Sequence, residues 1–207
     1  MNDTIKGADG KARCRWSMAA PEFLAYHDQE WGQAVANDQH LFEKLCLECF
    51  QSGLSWRTIL AKRDNFRQAF HHFDMARIAR YTEQDMARLL QDEGIVRHRG
   101  KIAAVINNAR CALELIEKEG SLAAFVWRYA PPPGSLHPPQ SASTSSESIA
   151  LAKELKKRGW QFIGPTTAYA FMQAMGLVND HALDCAFRAE TEEARLRCMA
   201  QLGSAPA

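Results

Sequence analysis

No stretch of this sequence is apolar for long enough to cross a bilayer, and the opening "MNDTIKGADGKAR" lacks the hydrophobic segment of a signal peptide. A cytoplasmic protein with no membrane partner is expected. Net charge is lacking too, since 25 Lys and Arg stand against 24 Asp and Glu, a formal +1. Any polyanion would have to be met by a local patch rather than a basic tail. Six cysteines among 207 residues, with no secretion signal, point to thiols or metal ligands more than to a disulfide framework. A chain of this length buries a substantial core in one domain or two small lobes and needs no staple to fold. Internal repeats and alternating strand patterns are absent as well.

What is present is helical periodicity with matching cap signals. Asn37 or Asp38 caps a helix with Leu41, Phe42, Leu45, Cys46, Cys49 and Phe50 on one face. Ser55 caps the next, through Trp56, Ile59 and Leu60. Asp64, Asp74 and Thr82 read as N-caps of short helices, the last ending at Gly94. A long helix over 99–118 stops at Gly120, and Ser121 restarts the pattern through Trp127. The proline- and serine-rich "APPPGSLHPPQSASTSSES" is a loop. Beyond it come a helix over 146–157, the connection "RGWQFIGP", a helix over 165–175, one beginning near Asp180 and a final "ETEEARLRCMAQL", after which the end frays. The expected class is all-α.

The segment "CRWSMAAPEFLAYHDQEWG" (14–32) is dense in metal-binding, aromatic and acidic side chains. Cys14 and His27 come from it, and "NDHALDC" adds His181 and Cys185, whose i, i+4 spacing on a helix would put both donors on one face. Each pair alone is also compatible with a buried cysteine and an ordinary histidine. Together they make a Cys2His2 set of the softness and number that zinc takes in a closed structural site. Cys46 and Cys49 lie inside a helix on its apolar face, where nothing lowers a thiol pKa, so they read as core residues.

Glu48 stands one turn from Lys44, which suits a surface ion pair. It also precedes "FQSGLSW", and with Trp56, Tyr26 and Trp31 it would make a pocket for a flat nitrogenous ring. The stretch "KKRGWQFIGPTTAYAFMQA" has two helices joined at Gly159 and Gly164 beside Lys156, Lys157 and Arg158. Its second helix offers free N–H groups to a phosphate, although a solvated basic face reads equally well. "RHRGK" (Arg97, His98, Arg99, Lys101) is a second basic cluster at a helix start.

"AYHDQEWG", "LSWRTILAKRDNFRQAF", "GIVRHRGKIAAVINNAR" and "AFMQAMGLVNDH", in that order, resemble the DNA-3-methyladenine glycosylase I (Tag) family of helix–hairpin–helix enzymes. The resemblance covers residues 13–185. It implies a two-lobed helical fold over 13–187, with 1–12 and 188–207 as terminal extensions, and one structural zinc on Cys14, His27, His181 and Cys185. It further implies excision of 3-methyladenine from alkylated double-stranded DNA by a monomeric, monofunctional enzyme that releases the free base. Glu48 matches the family's base-recognition glutamate. Tyr26, Trp31 and Trp56, with Phe23, match its aromatic pocket, and Lys157, Gly159, Gly164 and Thr166 fall on the DNA-backbone hairpin.

Three departures stand out. Phe23 replaces a tyrosine of some relatives, "LECFQSG" replaces a smaller "LEGAQAG" type, and Trp160 replaces a phenylalanine. No acidic residue lies between Gly164 and Val178, so no dedicated general base is assigned. A zinc-stabilised DNA-binding module without catalysis is the alternative that those departures favour. A zinc hydrolase fits less well, because four protein ligands leave no position for water.

Overall fold

The architecture comes from a computed structural model, which describes residues 3–135 and 138–203. Among the described residues a short antiparallel hairpin, β1 (Thr4–Lys6) and β2 (Ala12–Cys14), precedes ten α-helices. They are α1 (Pro21–Gln29), α2 (Asp38–Gln51), α3 (Trp56–Ala69), α4 (Met75–Ile78), α5 (Glu83–Gln91), α6 (Arg99–Glu119), α7 (Leu122–Trp127), α8 (Ser146–Lys157), α9 (Pro165–Ala174) and α10 (Arg188–Gly203). No helix among the described residues is long and apolar enough to cross a membrane. The expected fraying concerns 204–207, outside the described residues.

α2 is the axis of the molecule. Every residue from Leu41 to Phe50 is buried, and the helix packs on α3, α6, α7 and α9. Its ends are satisfied by side chains. The Asn37 amide oxygen accepts from His40 N, and the Asp38 carboxylate accepts from Leu122 N and Ala123 N, joining the starts of α2 and α7. At the other end the Lys101 ammonium donates to the carbonyls of Phe50 (2.9 Å) and Ser52 (2.5 Å). Lys101 is 6% exposed and burial lowers its pKa, so this member of the "RHRGK" cluster belongs to the scaffold and not to a phosphate-binding face.

Four expectations are corrected. Asp64 lies inside α3, where its carboxylate pairs forward with Arg67 and interrupts nothing. α5 ends at Gln91, not Gly94, because Asp92 turns to an extended conformation and accepts from Gly94 N through its own side chain. Strands do occur. Thr4 pairs with Cys14 and Lys6 with Ala12 around a turn in which Gly10 takes φ +79, too short a unit for alternation to register. No helix starts near Asp180. The backbone of 179–188 makes other bonds: Ala182 N to Cys14 Sγ, Ala186 N to Ala12 O, and Asn179 Nδ2 to Arg188 O. A helix would forfeit them.

α10 packs on α7 and buries Arg195, whose guanidinium donates to the carbonyls of Pro131 and Leu177. It is part of the packed body. Replacing Lys101 with Met strands the two α2 carbonyls, a loss of about 1–3 kcal/mol for buried acceptors left unpaired. The denaturant midpoint of Lys101→Met is therefore expected to fall well below wild type. An unchanged midpoint would mean that water replaces the ammonium.

Candidate metal centre and base pocket

Cys14 ends β2, His27 lies near the end of α1, and His181 and Cys185 sit on the turns before α10. All four are buried, and their donor atoms lie within 4.8 Å of one another. Cys185 Sγ is 3.4 Å from His181 Nδ1 and 3.6 Å from His27 Nε2, and Cys14 Sγ is 3.7 Å from His181 Nδ1. The expected set thus converges, although its second pair is carried by turns and not by a helix. Outer contacts aim the rings: His27 Nδ1 faces Asp28 Oδ1 at 2.8 Å, and His181 Nε2 faces the Trp31 carbonyl at 3.2 Å. Each imidazole therefore has one nitrogen engaged and the other turned inward, the arrangement metal-binding histidines use. Arg13 clamps Asp28 in turn. The thiol of Cys14 and the neighbouring imidazoles hold the Cys185 sulfur low, in the thiolate form that a metal takes.

The opening segment feeds a second site through the same residues. Trp31 stacks on His27 and lies edge-on to His181, with ring centroids 6.2 and 4.7 Å away, and Trp16 meets it at 5.0 Å. Trp16, Trp31 and Tyr26 then line a cavity of about 340 Å³. Glu48, Lys44 and Gln51 from α2 and Trp56 from α3 complete one wall; Gln173 from α9, Gln140 and Asp180 complete the other. Asp180 accepts from Gln140 N (2.7 Å) and Gln173 Nε2 (2.6 Å), which tethers the Pro-rich loop to α9, and burial raises its pKa.

Glu48 does pair with Lys44, but not at the surface. Nζ and Oε1 are 2.7 Å apart with both residues 5% exposed, and the ammonium also donates to the Tyr26 hydroxyl at 3.0 Å. Burial alone would pull the Lys44 pKa down; Glu48 and Tyr26 together more than offset this and hold it up, so the lysine stays charged. Tyr26 and Trp56 lie 5.3 Å apart between centroids. Phe23 is not part of the cavity wall. Its ring lies 6.0 Å from Trp16, which it braces from behind. Cys46 and Cys49 are buried free thiols, with burial pushing Cys49 to about 12, in keeping with their reading as core.

The connection from α8 to α9 is a tight hairpin, with Gly159 at φ +84 and Gly164 capping α9 ahead of Pro165. Two asparagines of α6 clamp its tip. Asn107 donates to Gly159 O, and Asn108 exchanges two bonds with the backbone of Gln161. Trp160 is buried against Phe42. Lys156, Lys157 and Thr166 face solvent, whereas Arg158 is engaged by Glu119 (2.6 Å), Glu154 (2.9 Å) and the Phe125 ring. Of that basic trio, Lys156 and Lys157 are exposed, Lys157 with Glu154 at 4.0 Å, and Arg158 is held by its carboxylate partners.

The chain thus combines a helical body, an exposed hairpin between α8 and α9 and a ring-lined cavity of about 340 Å³. The methyladenine glycosylase family model matches residues 16–189. DNA-3-methyladenine glycosylase 1 of Escherichia coli (strain K12) is 48% identical over 182 residues, covering 84% of this chain and 95% of that one. The Haemophilus influenzae DNA-3-methyladenine glycosylase is 45% identical over 177 residues, covering 84% and 96%. Among solved structures, a 3-methyladenine DNA glycosylase I variant in complex with 3-methyladenine superposes with TM-score 0.79 at 34% identity, covering 85% of this chain and 97% of that one. The Staphylococcus aureus enzyme gives 0.78 at 34%, covering 85% and 96%. The chain belongs to the methyladenine glycosylase family.

Trp16, Lys44, Gln140, Gln173 and Asp180 were not singled out for the pocket from the sequence. Trp16 lies within the aromatic opening, which was its one available signal. Gly32, by contrast, follows from the geometry: it takes φ +84, and a Cβ there would stand 2.8 Å from His181 Nε2. A left-handed non-glycine residue costs about 1–2 kcal/mol before any clash. Gly32→Ala is expected to lower the melting temperature and loosen the donor cluster, and an unaffected melting temperature would contradict this placement of His181.

Proposed function

We propose that this protein hydrolyses the N-glycosidic bond of 3-methyladenine in alkylated double-stranded DNA and releases the free base. The observation that carries the reading is the pocket, which gathers Glu48 and Lys44 with the rings of Trp16, Tyr26, Trp31 and Trp56 around a cavity of about 340 Å³. A base in a duplex is out of reach, so it is unstacked, at a cost of a few kcal/mol, and turned into such a pocket. Methylation at N3 leaves the ring cationic and ready to depart, which asks little acid–base work of the protein. Glu48 accepts hydrogen bonds from the exocyclic amine, and Trp56 stacks on the ring with support from Tyr26 and Trp31. Lys157, Lys156 and the start of α9 at Gly164 and Thr166 bind backbone phosphates, with Gly159 shaping the turn.

Zinc is the ion we assign to Cys14, His27, His181 and Cys185. A tetrahedral zinc, with bonds of about 2.3 Å to sulfur and 2.0–2.1 Å to nitrogen, spaces its donors by about 3.5 Å. Three of the four sulfur–nitrogen separations, at 3.4–3.7 Å, fit it, and all four donor atoms lie within 4.8 Å of one another. Four protein donors close the site, so the ion ties the two ends of the chain together and does no chemistry on the base.

Two outcomes are expected. Cys185→Ala is expected to lose most bound zinc and melt earlier while retaining some excision in the cold; full stability of wild type stripped by a chelator would remove the structural role. Glu48→Gln keeps an acceptor but loses the charge, and hydrogen bonds to charged groups contribute about 1.5–3 kcal/mol, so affinity for free 3-methyladenine and single-turnover excision both fall about ten- to a few hundredfold. Normal binding with abolished cleavage would make Glu48 an acid–base catalyst, and no change in either would leave it a scaffold residue.

A further inference from the structure

Of the phenylalanine, tyrosine and tryptophan side chains among the described residues, only Phe162 is exposed, at 45%. It stands at the tip of the hairpin between α8 and α9, where its backbone takes φ +58, a left-handed conformation that suits glycine and that a bulky residue seldom adopts. Neighbouring elements hold the tip in place. Asn107 donates to Gly159 O, Asn108 exchanges two bonds with the backbone of Gln161, and the Cys49 thiol donates to Phe162 O at 3.5 Å. All of these bonds act on the backbone; the Phe162 ring itself meets only His98, edge-on at 6.3 Å. A phenylalanine kept in a glycine's conformation and left half outside adds little to the core, so its ring points to a partner beyond the chain. His98 links this tip to the base cavity. It caps α6, the Lys101 ammonium in the first turn holds the carbonyls of Phe50 and Ser52, and Gln51 between those two lines the cavity. Phe162 also shares a groove of about 650 Å³ with Ile149, Trp160, Ile163 and the exposed Lys153 and Lys156. A free aromatic ring beside cations is the combination with which proteins engage unstacked bases.

We propose that Phe162 is a DNA-probing residue whose ring inserts into the duplex at a base step beside the extruded nucleotide. The proposal rests on the DNA substrate of the reading above. Turning a base out of the duplex forfeits its stacking on both neighbours, and an apolar side chain entering an adjacent step offsets part of that loss and holds the duplex kinked. The ring acts on the duplex and not on the base in the cavity. It therefore favours the extruded state of the DNA and leaves the affinity for a free base as it is. Because the tip is already clamped by Asn107, Asn108 and Cys49, little ordering is required when the duplex arrives.

The test is Phe162→Gly, which removes the ring at a position whose φ glycine adopts freely, so the melting temperature is expected to hold. Affinity for a duplex carrying an abasic-site analogue is expected to fall about tenfold or more, as when a stacking aromatic is removed elsewhere. The slope of that affinity against salt stays at the wild-type value, because no phosphate contact is lost. Affinity for free 3-methyladenine is likewise unchanged. At saturating protein, 2-aminopurine placed next to the analogue brightens with wild type and with Phe162→Tyr as its stacking is broken, and stays dim with Phe162→Gly. Wild-type duplex affinity and wild-type brightening in Phe162→Gly overturn the proposal, leave the DNA reading standing and turn the groove over to a protein partner. Parallel loss of free-base binding or of thermal stability in Phe162→Gly also overturns it, by making the ring a support of the fold. A wild-type protein that binds no abasic duplex and releases no base overturns both the proposal and the reading beneath it.

Discussion

Convergence of four buried donors from opposite ends of the chain is the constraint on which the site depends. Cys14 and His27 are brought against His181 and Cys185 with sulfur–nitrogen separations of 3.4–3.7 Å. Unpaired, such groups would be expensive to bury; a single ion held by all four would make them a crosslink between β2, α1 and the turns before α10. The consequences reach the pocket directly. Trp31 is wedged among His27, His181 and Trp16, and Gly32 must lack a side chain to pass the His181 ring. The aromatic opening is rich because one segment builds both the donor cluster and the wall of the cavity.

The opposite wall is governed by α2, whose burial from Leu41 to Phe50 carries Lys44 and Glu48 indoors with it. A buried ion pair contributes little net stability once desolvation is counted. Its presence at a ligand-sized cavity therefore suggests a functional origin. Preorganised charge in a site sheltered from water acts more strongly than the same charge at a surface. The cavity combines that pair with the indole faces of Trp16, Trp31 and Trp56 and the phenol of Tyr26.

Much of this was legible from sequence, and the exceptions share a cause. Local rules located α2, α3 and α7, where Asn37, Ser55 and Ser121 do satisfy orphan N–H groups within one turn, and apolar spacing located α6. The four cluster residues were legible from donor type alone. What local rules could not supply was the partner of each polar group across the fold. Lys101 and Arg158 look like members of phosphate-binding patches, yet one caps α2 and the other pairs with Glu119 and Glu154. Lys44 looks like half of a surface pair until Tyr26 and Trp56 close over it. The turns at 179–187 read as helix because their spacing is helical, but their backbone groups bond to Ala12, Cys14 and Arg188. The hairpin β1–β2 is three residues a side, below what a period of two can reveal.

The measurement that bears most directly on the account is the release of free base from duplex DNA treated with a methylating agent, followed chromatographically under single-turnover conditions. The account predicts that 3-methyladenine is released, that untreated duplex yields no base, and that the DNA strand stays intact at the vacated sugar. Tight binding to the methylated duplex with no base released would contradict it and leave a zinc-stabilised DNA-binding module in its place.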